Sequence, residues 1–346
     1  MSNKIMDILI ICLLLFGIVI CTCLCHAEEK VELSIISTKT EITQYEPLIV
    51  NFQLKNIGST DWEVIGLMDY DAGWINMEIG EFGGKFYRYD TGSSVLVDPN
   101  NNRILKPNQL FSSQVNIYTA RMPIKLDRII SVESLDNNFF LFPFAEPGIY
   151  KIRAFYPLEG YIEKYPGARE RKMLKSNILE IRVRPWNEKE QQAFNFFKKL
   201  EDFAHAVGGC CSGNYEENAK KYETFINLYP DTPYTPYIKL ELAEIYHSKT
   251  LLPNPNYGRA FDLFSDLAKQ GPTLLQDDAF FQLANLQIEL SRLKEAKATV
   301  VKLLKDYPLS EHIPDARRIK DGLEKGCTNL DDIFSKITGT AAIEAK

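Results

Sequence analysis

The chain is poor in histidine: it has four, and only His205, His247 and His312 lie outside the N-terminal segment. It also has no excess of basic charge, since 40 Lys and Arg face 46 Asp and Glu, a formal net charge of −6. Nucleic-acid binding draws its affinity from a basic footprint, so no nucleic-acid partner is expected. Gly-x-Ser-x-Gly, His-Glu-x-x-His, Gly-x-x-x-x-Gly-Lys and Gly-x-Gly-x-x-Gly are all missing. No catalytic residue, cofactor or metal ligand set is therefore expected. A hydrolase built on scattered carboxylates stays open, because such pairs leave no local signature. Asp69 and Asp71, followed by Gly73, suggest a calcium loop but lack its third acidic position and distal Glu, which favours a solvated turn. Cys-x-x-Cys is absent too, which removes the usual zinc and redox spacings.

What is present begins with an export signal. Lys4 is followed by an almost wholly apolar run over residues 8–20, then by Cys25, His26 and Ala27 and the polar Glu28 and Glu29. Charge, length and exit site match a signal peptide over residues 1–27, cleaved after Ala27. Export places the protein in the periplasm or outside the cell. Two other fates fit the residues. One is an uncleaved anchor through residues 8–25, just long enough to span a bilayer. The other is lipidation at Cys21, Cys23 or Cys25, against which the preceding Ile20, Thr22 and Leu24 speak. Cleavage leaves Cys210, Cys211 and Cys327, an odd number in an oxidising compartment. A disulfide from Cys210 or Cys211 to Cys327 is one expectation. Free or vicinal thiols are a second, and metal ligation with His205 a third.

A length of 346 residues suits two domains, and 45% apolar with 25% charged residues suits folded soluble protein. Residues 31–36, 48–54, 74–79, 85–89, 111–118, 150–156 and 178–183 alternate apolar and polar. That period predicts half-buried antiparallel strands. Gly83 and Gly84, the run 98–102, Lys106 to Asn108 through Pro107, and Pro147 with Gly148 supply the turns. The expected first domain is a β-sandwich over residues 28–186. Beyond Trp186 the period becomes helical, with Ala193, Phe196, Phe197, Leu200, Phe203 and Ala204 predicting one helix over 191–207. An internal repeat follows: Leu242, Ala243 and Tyr246 return as Leu283, Ala284 and Gln287, and Tyr229 with Pro230 returns as Tyr307 with Pro308.

Two resemblances carry this further. Gly148, Tyr150 and Ile152 resemble the opening of a late strand in immunoglobulin-like domains, where the tyrosine hydroxyl ties down a corner. Leu105, Pro107 and Gln109 resemble a turn of bacterial immunoglobulin-like domains. Phe280, Leu283, Ala284, Ser291, Leu293, Ala296, Val300 and Pro308 resemble the signature positions of tetratricopeptide repeats. Repeats of this kind are expected over residues 187–325, with a lengthened loop over 249–256 and a flexible tail over 326–346. The expected fold class is multidomain β + α: an N-terminal immunoglobulin-like β-sandwich followed by an α-helical tetratricopeptide-like repeat array.

The repeat resemblance implies a concave groove lined by Tyr237, Leu240, Glu244, His247, Asp278, Phe281, Asn285 and Glu289. Such a groove suits a protein partner, or else packs on the sandwich or on a second copy. Tyr161, Lys164, Tyr165, Arg169 and Arg171 belong to a basic, aromatic stretch, residues 156–175, expected to join the last two strands. It is either a recognition loop or a basic hairpin balancing an acidic protein. The expected function is a non-catalytic envelope interaction or scaffold protein. The alternative is polysaccharide or cell-wall binding through sandwich aromatics such as Trp62, Trp74, Tyr87 and Tyr89.

Overall fold

A computed structural model describes residues 31–64, 75–81, 83–89, 103–117, 120–121, 140–141, 143–157, 173–198, 200–208, 214–270, 273–308, 310 and 312–341. The expected signal segment, the Asp69–Asp71 turn, Trp74, the basic loop with Tyr161, Lys164, Tyr165, Arg169 and Arg171, and Cys210 with Cys211 lie outside these residues. Among the described residues, strands come first and helices second.

The strands are β1 (Val31–Ile36), β2 (Glu41–Thr43), β3 (Leu48–Asn56), β4 (Trp62–Val64), β5 (Asn76–Glu81), β6 (Phe86–Tyr89), β7 (Arg103–Leu105), β8 (Leu110–Ile117), β9 (Ala120–Arg121), β10 (Phe140–Leu141), β11 (Gly148–Pro157), β12 (Met173–Lys175) and β13 (Leu179–Arg184). One antiparallel sheet runs β1-β3-β8. A six-stranded sheet runs β2-β13-β11-β5-β6, with β12 also on β11, and only β2 and β13 are parallel. β4 pairs with β7, and β9 with β10.

Period two explains the packing. Val31, Leu33 and Ile35 of β1 and Leu48, Val50, Phe52 and Leu54 of β3 enter one core with Met77, Ile152, Ile181 and Val183 of the larger sheet. Each such side chain contributes about 1.5–3 kcal/mol. The two sheets are also stitched by a side chain. Asn177, between β12 and β13, accepts from the Ile35 amide (2.8 Å) and donates to the Ile35 carbonyl (3.0 Å). At the entry to β11, the Tyr150 hydroxyl donates to the Glu146 carbonyl at 2.9 Å.

The helices are α1 (Glu188–Phe196), α2 (Leu200–Gly208), α3 (Tyr215–Leu228), α4 (Thr235–His247), α5 (Tyr257–Gln270), α6 (Thr273–Glu289), α7 (Leu293–Asp306), α8 (Ile313–Glu324) and α9 (Leu330–Ala341). The single helix expected over 191–207 is two. The backbone turns extended at Phe197 (φ −84°, ψ 103°), which buries that ring against Phe203 and Phe225. From α3 to α8 each helix packs on the next, with Ala243, Ala260, Ala284 and Ala296 fully buried at the crossings. Small residues there let the axes approach closely. Within the tail expected over 326–346, α9 forms a helix over Leu330–Ala341. Ile333 is fully buried and lies so close to Gly322 that a Cβ there would meet it at 2.7 Å. The sequence hid this because few apolar positions suffice to dock a short terminal helix.

Candidate functional site

The turn between β2 and β3 joins the two regions. Glu46 folds back so that its carboxylate accepts from the Thr43 amide (2.8 Å) and pairs with Lys39. Burial nevertheless raises the Glu46 pKa. Tyr45 sits at φ +61°, a left-handed conformation uncommon outside glycine, and its ring lies against Trp186 and Phe194 at 5.2 and 4.4 Å. Gln44 accepts from the Trp186 amide (3.1 Å) and donates to the Ala145 carbonyl (2.7 Å). The helical side answers with two tyrosines. Tyr234 donates to the Gln44 carbonyl and Tyr237 to the Pro47 carbonyl, both at 2.8 Å. Arg184, ending β13, grips Glu190 of α1 with two hydrogen bonds of 2.8 and 2.5 Å, which hold that carboxylate below its usual range. Glu190 and Asn187 also close a capping box that starts α1.

Beyond this joint, the outer face of β3 and β8 meets the inner helices. Ile49 of β3 belongs to the helical core. Two residues along, Asn51 stands opposite Gln114 of β8. The Gln114 amide donates to Asp278 of α6 at 3.4 Å. Asp278 also bonds His312 at 2.6 Å, and the His312 ring lies flat on Phe281 with centroids 4.3 Å apart. Glu244 of α4 faces this group. Its pKa is pushed up to about 8 by burial, then by the charges of Glu241 and Asp278, while His312 opposes the shift. Asp277 is 2% exposed, and burial beside Asp278 raises its pKa to about 7. Oxygens of Gln114, Asn116, Asp277 and Asn285 are buried without a hydrogen-bond partner among the described residues. The seam is therefore acidic and rich in acceptors.

The residues expected along the groove divide between joint and seam. Tyr237 is buried against Pro47 and is not open to a partner. Leu240 is half-buried between the two helical cores. Glu244, Asp278, Phe281 and Asn285 line the seam, half-buried. His247 pairs with Glu289 at 3.3 Å at the far end of the same helices. Cys327 is a buried free thiol. Glu241, Asp277, His312 and the amides of β8 were not read as site residues. Asp277 and Glu241 follow from the helical period once α4 and α6 are paired, but the sheet's part needs the tertiary fold. Among the described residues, no group of three or more His, Cys, Asp or Glu is placed to hold a metal ion, and no helix is long and apolar enough to cross a membrane.

No family model and no curated protein matches the chain. Among solved structures it is similar to the β-glucosidase from Listeria innocua in complex with isofagomine, at 12% identity and TM-score 0.22, covering 45% of this chain and 16% of that one. It is similar also to the Pseudomonas fluorescens alkylpurine DNA glycosylase AlkC bound to DNA, at 9% identity and TM-score 0.23, covering 45% of this chain and 30% of that one. A CARDB domain from Pyrococcus furiosus in complex with di-metal ions gives 10% identity and TM-score 0.21, covering 44% of this chain and 87% of that one. Likenesses at such scores carry no argument about this protein's activity.

Proposed function

We propose that this protein is a non-catalytic interaction or scaffold protein of the cell envelope, exported by its N-terminal signal, whose helical repeats dock a protein partner. The observation that carries this reading is the seam itself: a half-buried aromatic pair, Phe281 on His312, set among acids and amides on the helical face. Aromatic rings beside polar groups are the usual anchors of protein interfaces. The finer architecture is part of the proposal. The Tyr150 corner and the shared core of two sheets support an immunoglobulin-like sandwich. Buried alanines at successive crossings, with Pro230 and Pro308 just after α3 and α7, support tetratricopeptide-like repeats. Polysaccharide binding through sandwich aromatics draws less support, because among the described residues Tyr89 is buried and Trp62 packs on the core, while Tyr87 is an exposed ring.

A photocrosslinking residue placed at Glu289, exposed toward the far end of the helix that carries Phe281, tests the proposal in the native envelope. It is expected to give a discrete protein adduct that disappears when Phe281 and His312 are both changed to Ala. An adduct unaffected by that double change would refute docking at the seam.

A further inference from the structure

We propose that the helical array is hinged at the joint and latched onto the sheet through Gln114, Asp278 and His312, so that its later helices open and close over the outer face of β3 and β8. The motion is read without a partner, so its failure and the failure of the docking reading are separate results.

The two ends of the interface are built differently. At the joint, polar groups are matched. Tyr234 and Tyr237, both buried, donate to the carbonyls of Gln44 and Pro47, and Arg184 holds Glu190 with two hydrogen bonds. Apolar groups are matched there too, with Tyr45 against Phe194 and Ile49 within the helical core. This end stays closed.

Farther along the sheet the matching stops. The register of β3 and β8 sets Ile49 opposite Asn116, Asn51 opposite Gln114 and Gln53 opposite Ser112, all on the face turned away from the β core. On that face Gln53 Nε2, Gln114 Oε1 and Asn116 Oδ1 are buried with no hydrogen-bond partner among the described residues. Asn285 Oδ1 is in the same state, about two turns beyond Asp278 and so on the same side of α6. Among the described residues, no strand lies in extended contact with a helix, so the seam is bridged by side-chain tips. Gln114 reaches Asp278 at 3.4 Å, near the long limit of a hydrogen bond. Asp278 in turn bonds His312 at 2.6 Å, and that ring is stacked on Phe281. The latch therefore ties β8 to α6 and to the turn before α8.

A buried polar atom without a partner has given up water and gained nothing in return. Closure imposes that loss on a donor and three acceptors, and opening returns water to each of them. The long Gln114 bond opposes opening only weakly, so the closed and open forms lie near one another in free energy. From α3 to α8 each helix packs on the next, so the array turns as a unit and a small rotation at the joint becomes a larger displacement at α7 and α8.

Single-molecule energy transfer on the full chain tests this, with dyes attached through p-azidophenylalanine at Lys106 before β8 and Lys305 near the end of α7, both exposed. The wild-type protein is expected to show two interconverting efficiencies. Asp278→Ala cuts the latch and should raise the open fraction about fivefold or more. Asn116→Leu combined with Asn285→Leu removes two orphaned oxygens at similar size and spares the latch, so it should lower the open fraction several-fold. Glu216→Gln, an exposed acid at the start of α3, should leave it unchanged. Circular-dichroism melts confirm that each variant is folded, and the leucine pair decides alone if Asp278→Ala is not. A single efficiency in the wild-type protein, or an open fraction that the leucine pair raises or leaves unchanged, overturns the proposal.

Discussion

Glu244→Gln is expected to stabilise the protein at pH 9 by about 2 kcal/mol and to change it by less than about 0.5 kcal/mol at pH 5. The Glu244 pKa lies at about 8 in the fold, against an ordinary value of 4.5. The folded state therefore holds a proton that the unfolded chain has released. Its contribution is complete below the unfolded pKa and is lost as pH rises from about 4.5 to about 8. Above that window the wild-type protein holds an ionised carboxylate beside Glu241 and Asp278, whereas glutamine stays neutral. The figure of about 2 kcal/mol is well below a full conversion of the shift, because Glu244 is partly open to water. Urea titrations at the two pH values measure it. Asp277 shifts in the same direction but is common to both proteins, so the wild-type profile keeps part of its slope in the variant.

Tyr234→Ala is expected to cost about 3–5 kcal/mol, and Tyr234→Phe about 1 kcal/mol. Tyr234 is fully buried, packs edge-on against Phe203 at 5.2 Å, and gives its hydroxyl to the Gln44 carbonyl. The alanine variant empties space at the joint and leaves that carbonyl without its donor. The phenylalanine variant keeps the ring and loses only the bond. Loss of the joint also frees strands and helices to melt separately. Calorimetry should therefore show a broader or divided transition for Tyr234→Ala and a single sharp one for Tyr234→Phe. Equal losses for the two substitutions would mean that packing at this ring matters less than its burial implies.

The sequence made the layout legible where one physical rule acted alone. Alternation in β1 and β11 and the apolar stripes of α6 and α7 depend on one buried face, and period reveals one buried face. It failed where two rules competed. β3 is buried on both sides: Val50 and Phe52 point into the β core, while Ile49 belongs to the helical core and Asn51 is buried too. Its polar positions therefore looked solvent-exposed. The break at Phe197 was hidden because neighbouring aromatics keep a helical rhythm across a turn. Glu244, Asp278, Phe281 and Asn285 were placed on one face by phase alone. The sheet that confronts them, and His312 arriving from the next turn, come from long-range packing that no local pattern records.

The most direct test of the seam is the protonation of Glu244 itself, followed by carbon-detected NMR of its side-chain carboxyl in the intact protein. A carboxyl pressed between α6 and its own acidic neighbours should titrate with a midpoint near 8. A midpoint near the ordinary 4.5 would show that water and counter-charge reach it, and that burial beside Glu241 and Asp278 does not act on it as described above.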